Sequence, residues 1–159
     1  MYALAGGAQR VVSVDSSPSA LAGLQENLEL NFSRPPHAAA AADCFEFLKE
    51  STESFDIAVV DPPAFAKSRS ALQPALRAYR EINALTLKRL NLGGQLMAYS
   101  CSQIVSSEQL REVLLAAAEK TAVRLEFIKE LTQAPCHRII SAFPEGRYLK
   151  GFLCRVERA

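Results

Sequence analysis

The stretch FDIAVVDPPAFAKS, residues 55–68, constrains this chain more than any other. FDIAVV is apolar and rich in β-branched residues, so it reads as a buried strand. It runs directly into Asp61, and Pro62 and Pro63 then end it, because neither proline can donate to a strand ladder. A carboxylate is thereby fixed in a rigid turn at the end of a core strand. Strand and helix signals alternate around this point. RVVSVD (10–15) reads as a short strand, and SPSALAGLQENLELN (17–31) as a helix with Ser17 as N-cap and Pro18 at its first position. HAAAAADCFEFLKE (37–50) is expected to give a short strand ending at Asp43 and then a short helix, although alanine is a poor strand former. LQPALRAYREINALTLKRLN (72–91) is expected to be a long amphipathic helix ended by Gly93–Gly94, and GQLMAYSCS (94–102) a strand. SSEQLREVLLAAAEKT (106–121) carries a capping signature, Ser106 followed by Gln109. VRLEFIKEL (123–131) and GRYLKGFLCRVE (146–157) read as the last strands, and Gly6–Gly7 as a helix C-cap. The alternation predicts an α/β domain with a mainly parallel sheet.

At 159 residues and 49% apolar content, one domain with a real core is expected. The 18 basic and 17 acidic residues balance, so the total charge carries no polyanion footprint, which leaves room for a local basic patch. Cys44, Cys101, Cys136 and Cys154 lie far apart with no CxxC pair. That argues against a disulfide framework and for a reduced, cytoplasmic protein, and no metal site is expected. No apolar run reaches bilayer length and no signal peptide opens the chain, so no membrane association is expected.

In open α/β sheets, ligands sit beyond the carboxyl ends of the strands. Asp15, Asp43, Asp61 and Cys101 each end a predicted strand. One such acid serves equally well as a cap or turn residue, but three at successive strand ends argue for a shared site. Asp15, followed by Ser16, suits ribose hydroxyls. Asp43, with Cys44 and Phe45, suits an adenine, the carboxylate taking the exocyclic amine; Phe45 and Phe47 suit ordinary core packing just as well. No G-x-G-x-x-G or GxxxxGK[ST] occurs, so the ligand suggested is an adenosine without a phosphate run. Asp61, Pro62, Pro63 and Phe65 can grip a planar heterocycle, the acid on its edge and the aromatic as a wall. Cys101, between two serines, is a candidate nucleophile, although a lone strand cysteine is also ordinary core. Lys67 and Arg69 after the turn, with Arg77 and Arg80 on the long helix, can meet phosphates beside a flipped base or form a plain charged surface.

Asp15, Asp43, DPPAF, SCS and FPEGRYLKGFLCRV, in that order, resemble the class I S-adenosylmethionine-dependent methyltransferases. More closely, the chain resembles the bacterial large-subunit ribosomal RNA cytosine-5 methyltransferases that carry an N-terminal PUA domain. DPP-x-F alone is shared by the whole class. DPPAFAKS, LRAYREIN, SCS and FPEGRYLKG together are far more specific, and the resemblance spans essentially the whole chain. It implies a Rossmann-like sheet with helices on both faces. It implies S-adenosyl-L-methionine as cofactor, with its ribose on Asp15 and Ser16, its adenine near Asp43, Cys44 and Phe45, and Asp61 at the edge of the site. Asp61 and Cys101 are implied as the catalytic pair, Cys101 adding to carbon 6 of cytosine. Pro62, Pro63, Phe65, Lys67 and Arg69 would contact the substrate. The partners implied are ribosomal RNA and, in a homodimer, a second copy.

The chain departs from this family in two places. The family opens with a strand and glycine-rich loop, whereas MYALAGGA looks like the helix that follows them. The expectation is a single, N-terminally truncated catalytic domain over 1–159 that lacks the first strand, its loop and the PUA domain. In APCHRI (134–139), Cys136 stands where the family tends to carry an acid, which leaves His137 without an assigned role. Two alternatives stay open: amino-group methylation of adenine or guanine through DPPAF, which needs no cysteine, and an inactive or non-catalytic methyltransferase-fold module.

Overall fold

Side-chain caps mark the starts of three helices in the computed structural model, which describes residues 1–143 and 146–159. Pro144 and Glu145, in the FPEGRYLKG motif, lie outside the described residues. The chain divides into two compact units, residues 1–51 and 52–159.

The first unit holds α1 (Tyr2–Ala5), β1 (Val11–Asp15), α2 (Pro18–Asn31), β2 (His37–Ala41) and α3 (Cys44–Glu50). β1 and β2 pair in parallel, with Asp15 opposite Ala41. Ser17 caps α2 as expected, its Oγ accepting from the Ala20 amide at 3.3 Å, and Pro18 follows at the first helical position. Gly6 is the C-cap of α1, and Gly7 takes the left-handed φ of +92° that favours glycine. Asp43 is a correction. The strand stops at Ala41, and Asp43 is the N-cap of α3 rather than a strand terminus. Its carboxylate binds two amides of the first helical turn, a stronger local demand than extending an alanine strand.

The second unit holds β3 (Phe55–Val60), a 3-10 turn at Arg69–Ala71, α4 (Leu72–Leu87), β4 (Leu90–Ser100), α5 (Ser107–Lys120), β5 (Val123–Leu131) and β6 (Lys150–Arg158). The strand order is β3-β4-β6-β5. β3 and β4 run parallel through the α4 crossover, but β6 is antiparallel to both of its neighbours. The expected mainly parallel arrangement is therefore mixed. Residue periodicity does not encode strand direction. The segment joining β5 to β6 has no α-helix among its described residues, so β6 turns back instead of crossing over.

The end of α4 is a second correction. The helix stops at Leu87, not 91, and β4 begins at Leu90. Gly93–Gly94 lie inside β4, where the pairing slips from Phe55–Leu90 to Ile57–Gln95. Gly93 takes φ +81°, and a Cβ on Gly94 would lie 2.8 Å from the Asn91 carbonyl and 3.0 Å from that of Asp56. The glycines make a bulge pressed against β3, not a helix stop. The last strand also begins later than expected, at Lys150.

The core of this unit follows strand alternation. Leu96, Ala98 and Ser100 of β4 are buried beside Phe152, Cys154 and Val156 of β6. α4 and α5 pack against each other and against the sheet. Tyr79 from α4 and Leu110 and Leu114 from α5 are fully buried. Burying each such leucine contributes about 1.5–3 kcal/mol. The predicted capping box forms in full: Ser106 Oγ accepts from the Gln109 amide, and the Gln109 side chain accepts from the Ser106 amide. Among the described residues no helix is long and apolar enough to cross a membrane.

Candidate active site

The DPPAF turn and the SCS segment meet in the second unit. β3 ends at Val60 and β4 at Ser100, so Asp61 and Cys101 follow two neighbouring, parallel strand ends. The Cys101 thiol donates to the Pro62 carbonyl, with sulfur and oxygen 3.9 Å apart. The Ala66 amide donates to Ser102 Oγ at 3.3 Å. Beneath them, the Tyr79 hydroxyl lies 3.2 Å from Ser102 Oγ and accepts from Ser100 Oγ at 3.0 Å. Ser100, Ser102 and Tyr79 are all buried, a setting in which a satisfied hydroxyl network fixes geometry. Phe65 packs on the Tyr79 ring, centroids 4.7 Å apart.

The Asp61 carboxylate makes no hydrogen bond among the described residues. Its side chain reaches solvent, yet the surrounding protein removes enough water to push its pKa up. Tyr99, on β4, is pushed up by desolvation and then by the Asp61 charge. Lys150, half-buried at the start of β6, donates to the Ser102 carbonyl at 2.5 Å. Desolvation lowers its pKa, and the charge of Cys101 opposes that shift.

Of the predicted cofactor residues, Asp15, Ser16, Asp43, Cys44 and Phe45 fall in the first unit and Asp61 in the second. The Ser17 amide donates to Asp15 Oδ1 at 2.7 Å. The Phe45 and Glu46 amides donate to Asp43 Oδ1 at 2.8 and 3.2 Å. Each acid thus satisfies local backbone through one oxygen, and its Oδ2 has no partner among the described residues. Cys44 lies between them. Its thiol donates to the Val14 carbonyl at 3.9 Å and is pushed up by burial, then by Asp43 and Asp15. Asp15 and Ser16 are exposed and Phe45 is half-buried. The acids fill the cap and turn roles weighed from the sequence and keep an oxygen spare.

Of the substrate candidates, Pro62 is buried, Phe65 half-buried, and Pro63, Lys67 and Arg69 exposed. Neither Lys67 nor Arg69 forms an ion pair among the described residues. Arg77 and Arg80 line a groove of about 190 Å³ with Gln109 and Glu112. His137 lies 3.2 Å from Cys136 Sγ on the exposed segment before β6. Sequence reasoning missed Tyr79, Tyr99 and Lys150. Tyr79 and Lys150 stand inside the LRAYREIN and FPEGRYLKG motifs, but only their contacts assign them a place.

No family model matches the chain. Over 158 residues it is 40% identical to the ribosomal RNA large subunit methyltransferase I of Salmonella arizonae, covering 97% of this chain and 39% of that protein. The chain thus spans about two fifths of the length of the curated relatives it matches. In three dimensions it matches SMU.776 in complex with SAH at TM-score 0.79 and 20% identity, covering 94% of this chain and 40% of that one. It matches NSun6 from Pyrococcus horikoshii at TM-score 0.63 and 17% identity, covering 94% and 41%. With β1 to β6 in these registers and acids at the strand ends, the chain carries the Rossmann-like α/β fold of the class I methyltransferases.

Proposed function

We propose that this protein is an S-adenosylmethionine-dependent RNA methyltransferase that modifies carbon 5 of a cytosine in large-subunit ribosomal RNA through a cysteine adduct. The observation that carries the reading is the joining of Cys101 to the DPP turn: a thiol held on the Pro62 carbonyl, next to an acid with no structural bond to make. The name of the Salmonella relative supports ribosomal RNA as the substrate.

The first unit fits an adenosine. Asp15 and Asp43 each keep a carboxylate oxygen free of backbone, suited to ribose hydroxyls and to an exocyclic amine. Ser16 adds a hydroxyl and Phe45 an apolar surface. S-adenosylmethionine supplies an electrophilic methyl group when bound there.

Carbon 5 of cytosine is a poor nucleophile. The Cys101 thiolate adds to carbon 6, and ring nitrogen 3 takes a proton from Asp61, so that carbon 5 becomes enamine-like and accepts the methyl. Loss of the carbon 5 proton to a base restores the double bond and expels the thiolate, and the nitrogen 3 proton returns to Asp61. The raised pKa of Asp61 favours the acid form that this protonation needs. Pro62, Pro63 and Phe65 wall the ring, and Lys67 and Arg69 reach flanking phosphates.

Ribosomal RNA carrying 5-fluorocytidine tests the reading, because fluorine cannot leave carbon 5 as a proton does. A protein–RNA adduct that survives denaturing electrophoresis is expected for the wild type and is lost in Cys101→Ala. Methylation that persists in Cys101→Ala would overturn the cysteine route in favour of amino-group transfer.

A further inference from the structure

We propose that Lys150 is a positioning residue for Cys101, its ammonium bracing the turn that carries the sulfur and supplying the positive charge that faces it. The proposal rests on the reading of Cys101 as the nucleophile.

Three observations converge. The β4–β6 register sets Lys150 opposite Ser100, the residue before Cys101. The Lys150 ammonium donates at 2.5 Å to the carbonyl of Ser102, the residue after it. One residue therefore borders both flanks of the cysteine, its backbone beside Ser100 and its amine on Ser102. Secondly, Lys150 is half-buried and has no carboxylate partner among the described residues. A partly desolvated cation of this kind is costly unless something negative answers it. The charge that acts on it is that of Cys101, which offsets part of its desolvation. Thirdly, β6 has no slack here. A Cβ on Gly151 would lie 2.5 Å from Tyr99 Cδ1 and 3.0 Å from the Ala98 carbonyl, so the backbone carrying Lys150 lies tight on β4.

Titratable groups on the surrounding elements include Asp61 after β3, Lys67 on the following loop, Tyr79 on α4, Tyr99 on β4, and Lys129 and Glu130 on β5, which pair with Leu153 and Phe152 of β6. Desolvation shifts Asp61 and Tyr99 toward their neutral forms, which weakens their pull on the ammonium. When Cys101 ionises, its proton leaves to water and the charge left on sulfur is stabilised by Lys150 through space.

The test is the rate of iodoacetamide alkylation of each cysteine, read by peptide mass spectrometry from pH 6 to 10, in wild type, Lys150→Met, Lys150→Gln and Lys150→Arg. Exposed Cys136 is the internal reference. Buried Cys154, its thiol pushed up to about 12, stays unmodified while the fold is intact. Removing the cation held on the cysteine's turn is expected to slow Cys101 about tenfold at pH 7. The gap should close at high pH, and Arg should restore the rate. A Cys101 rate that does not change relative to Cys136 would overturn the proposal. So would a slowing that is equal at every pH, which marks a merely structural role. If Lys150→Met exposes Cys154, Lys150→Gln, which keeps a donor for the Ser102 carbonyl, is read by the same two criteria. Alkylation needs neither RNA nor cofactor. A tenfold slowing without any fluorocytidine adduct leaves the lysine–sulfur pairing standing and overturns only the cytosine chemistry.

Discussion

The acids of the first unit and the acid of the second have different work. Asp15 and Asp43 each bind their own backbone, one in the turn before α2 and one as the cap of α3. Asp61 binds no backbone and is partly desolvated. The loop that carries it is held by other groups: the Cys101 thiol on Pro62, Ser102 on Ala66, and Tyr79 beneath Phe65. In the first unit a carboxylate builds the structure and offers its spare oxygen. In the second, the structure is built by hydroxyls and a ring, and the carboxylate is left without a structural bond. Position at a strand end does not separate the two kinds; the partners do.

The sharpest break between them is Asp61→Asn. If Asp61 only protonates substrate, methyl transfer to ribosomal RNA should fall on the order of 10²–10⁴-fold. Stability should stay within about 0.5 kcal/mol, as for a surface change. A large loss of stability in urea denaturation would place Asp61 with the structural acids. The complementary change is Tyr79→Phe, which removes the hydroxyl between Ser100 and Ser102 and leaves buried groups short of a partner. It should cost about 1–3 kcal/mol, read by the same denaturation. Next is Asp43. Asp43→Ala should lose about 1 kcal/mol of cap energy and weaken S-adenosylhomocysteine binding by calorimetry. Asp43→Asn, still a good cap, should keep the stability and lose only binding. If Asn binds as Asp does, the charge is not what the first unit offers.

Much of this division was legible in the sequence. Ser17, Pro18 and the Ser106–Gln109 box mark helix starts through local hydrogen bonds, which neighbouring residues fix by themselves. The DPP turn is equally local. The misread places depend on long-range pairing. Gly93–Gly94 punctuates a chain in the same way whether it ends a helix or bulges a strand, and only contact with Asp56 decides. The direction of β6 depends on its partners β4 and β5, which periodicity does not name. The site divides in the same way. Asp61 and Cys101 stand out as residue types at strand ends. Lys150 lies 49 positions from Cys101 in the numbering and meets its turn only through the β4–β6 register.

The smallest expected effect is a pH dependence of stability that tells the two kinds of acid apart without any substrate. Desolvation raises the folded-state pKa of Asp61, so the folded protein holds that proton more tightly than the unfolded chain does. At pH values below the ordinary carboxylate range the group is protonated in both states and contributes nothing. As pH rises through the ordinary range toward the raised value, the unfolded chain releases its proton first, and the folded state loses relative stability. Above the raised value the penalty is complete and constant. The side chain reaches solvent, so screening should keep the effect within about 0.5 kcal/mol. Asparagine cannot titrate. Urea denaturation of wild type and Asp61→Asn at a series of pH values should therefore coincide in acid and diverge by neutrality, with the variant the more stable. If the wild type gains on the variant as pH rises, the folded protein stabilises the Asp61 carboxylate. Asp61 would then be a structural anion like those of the first unit, and its role as proton donor to the base would fail with it.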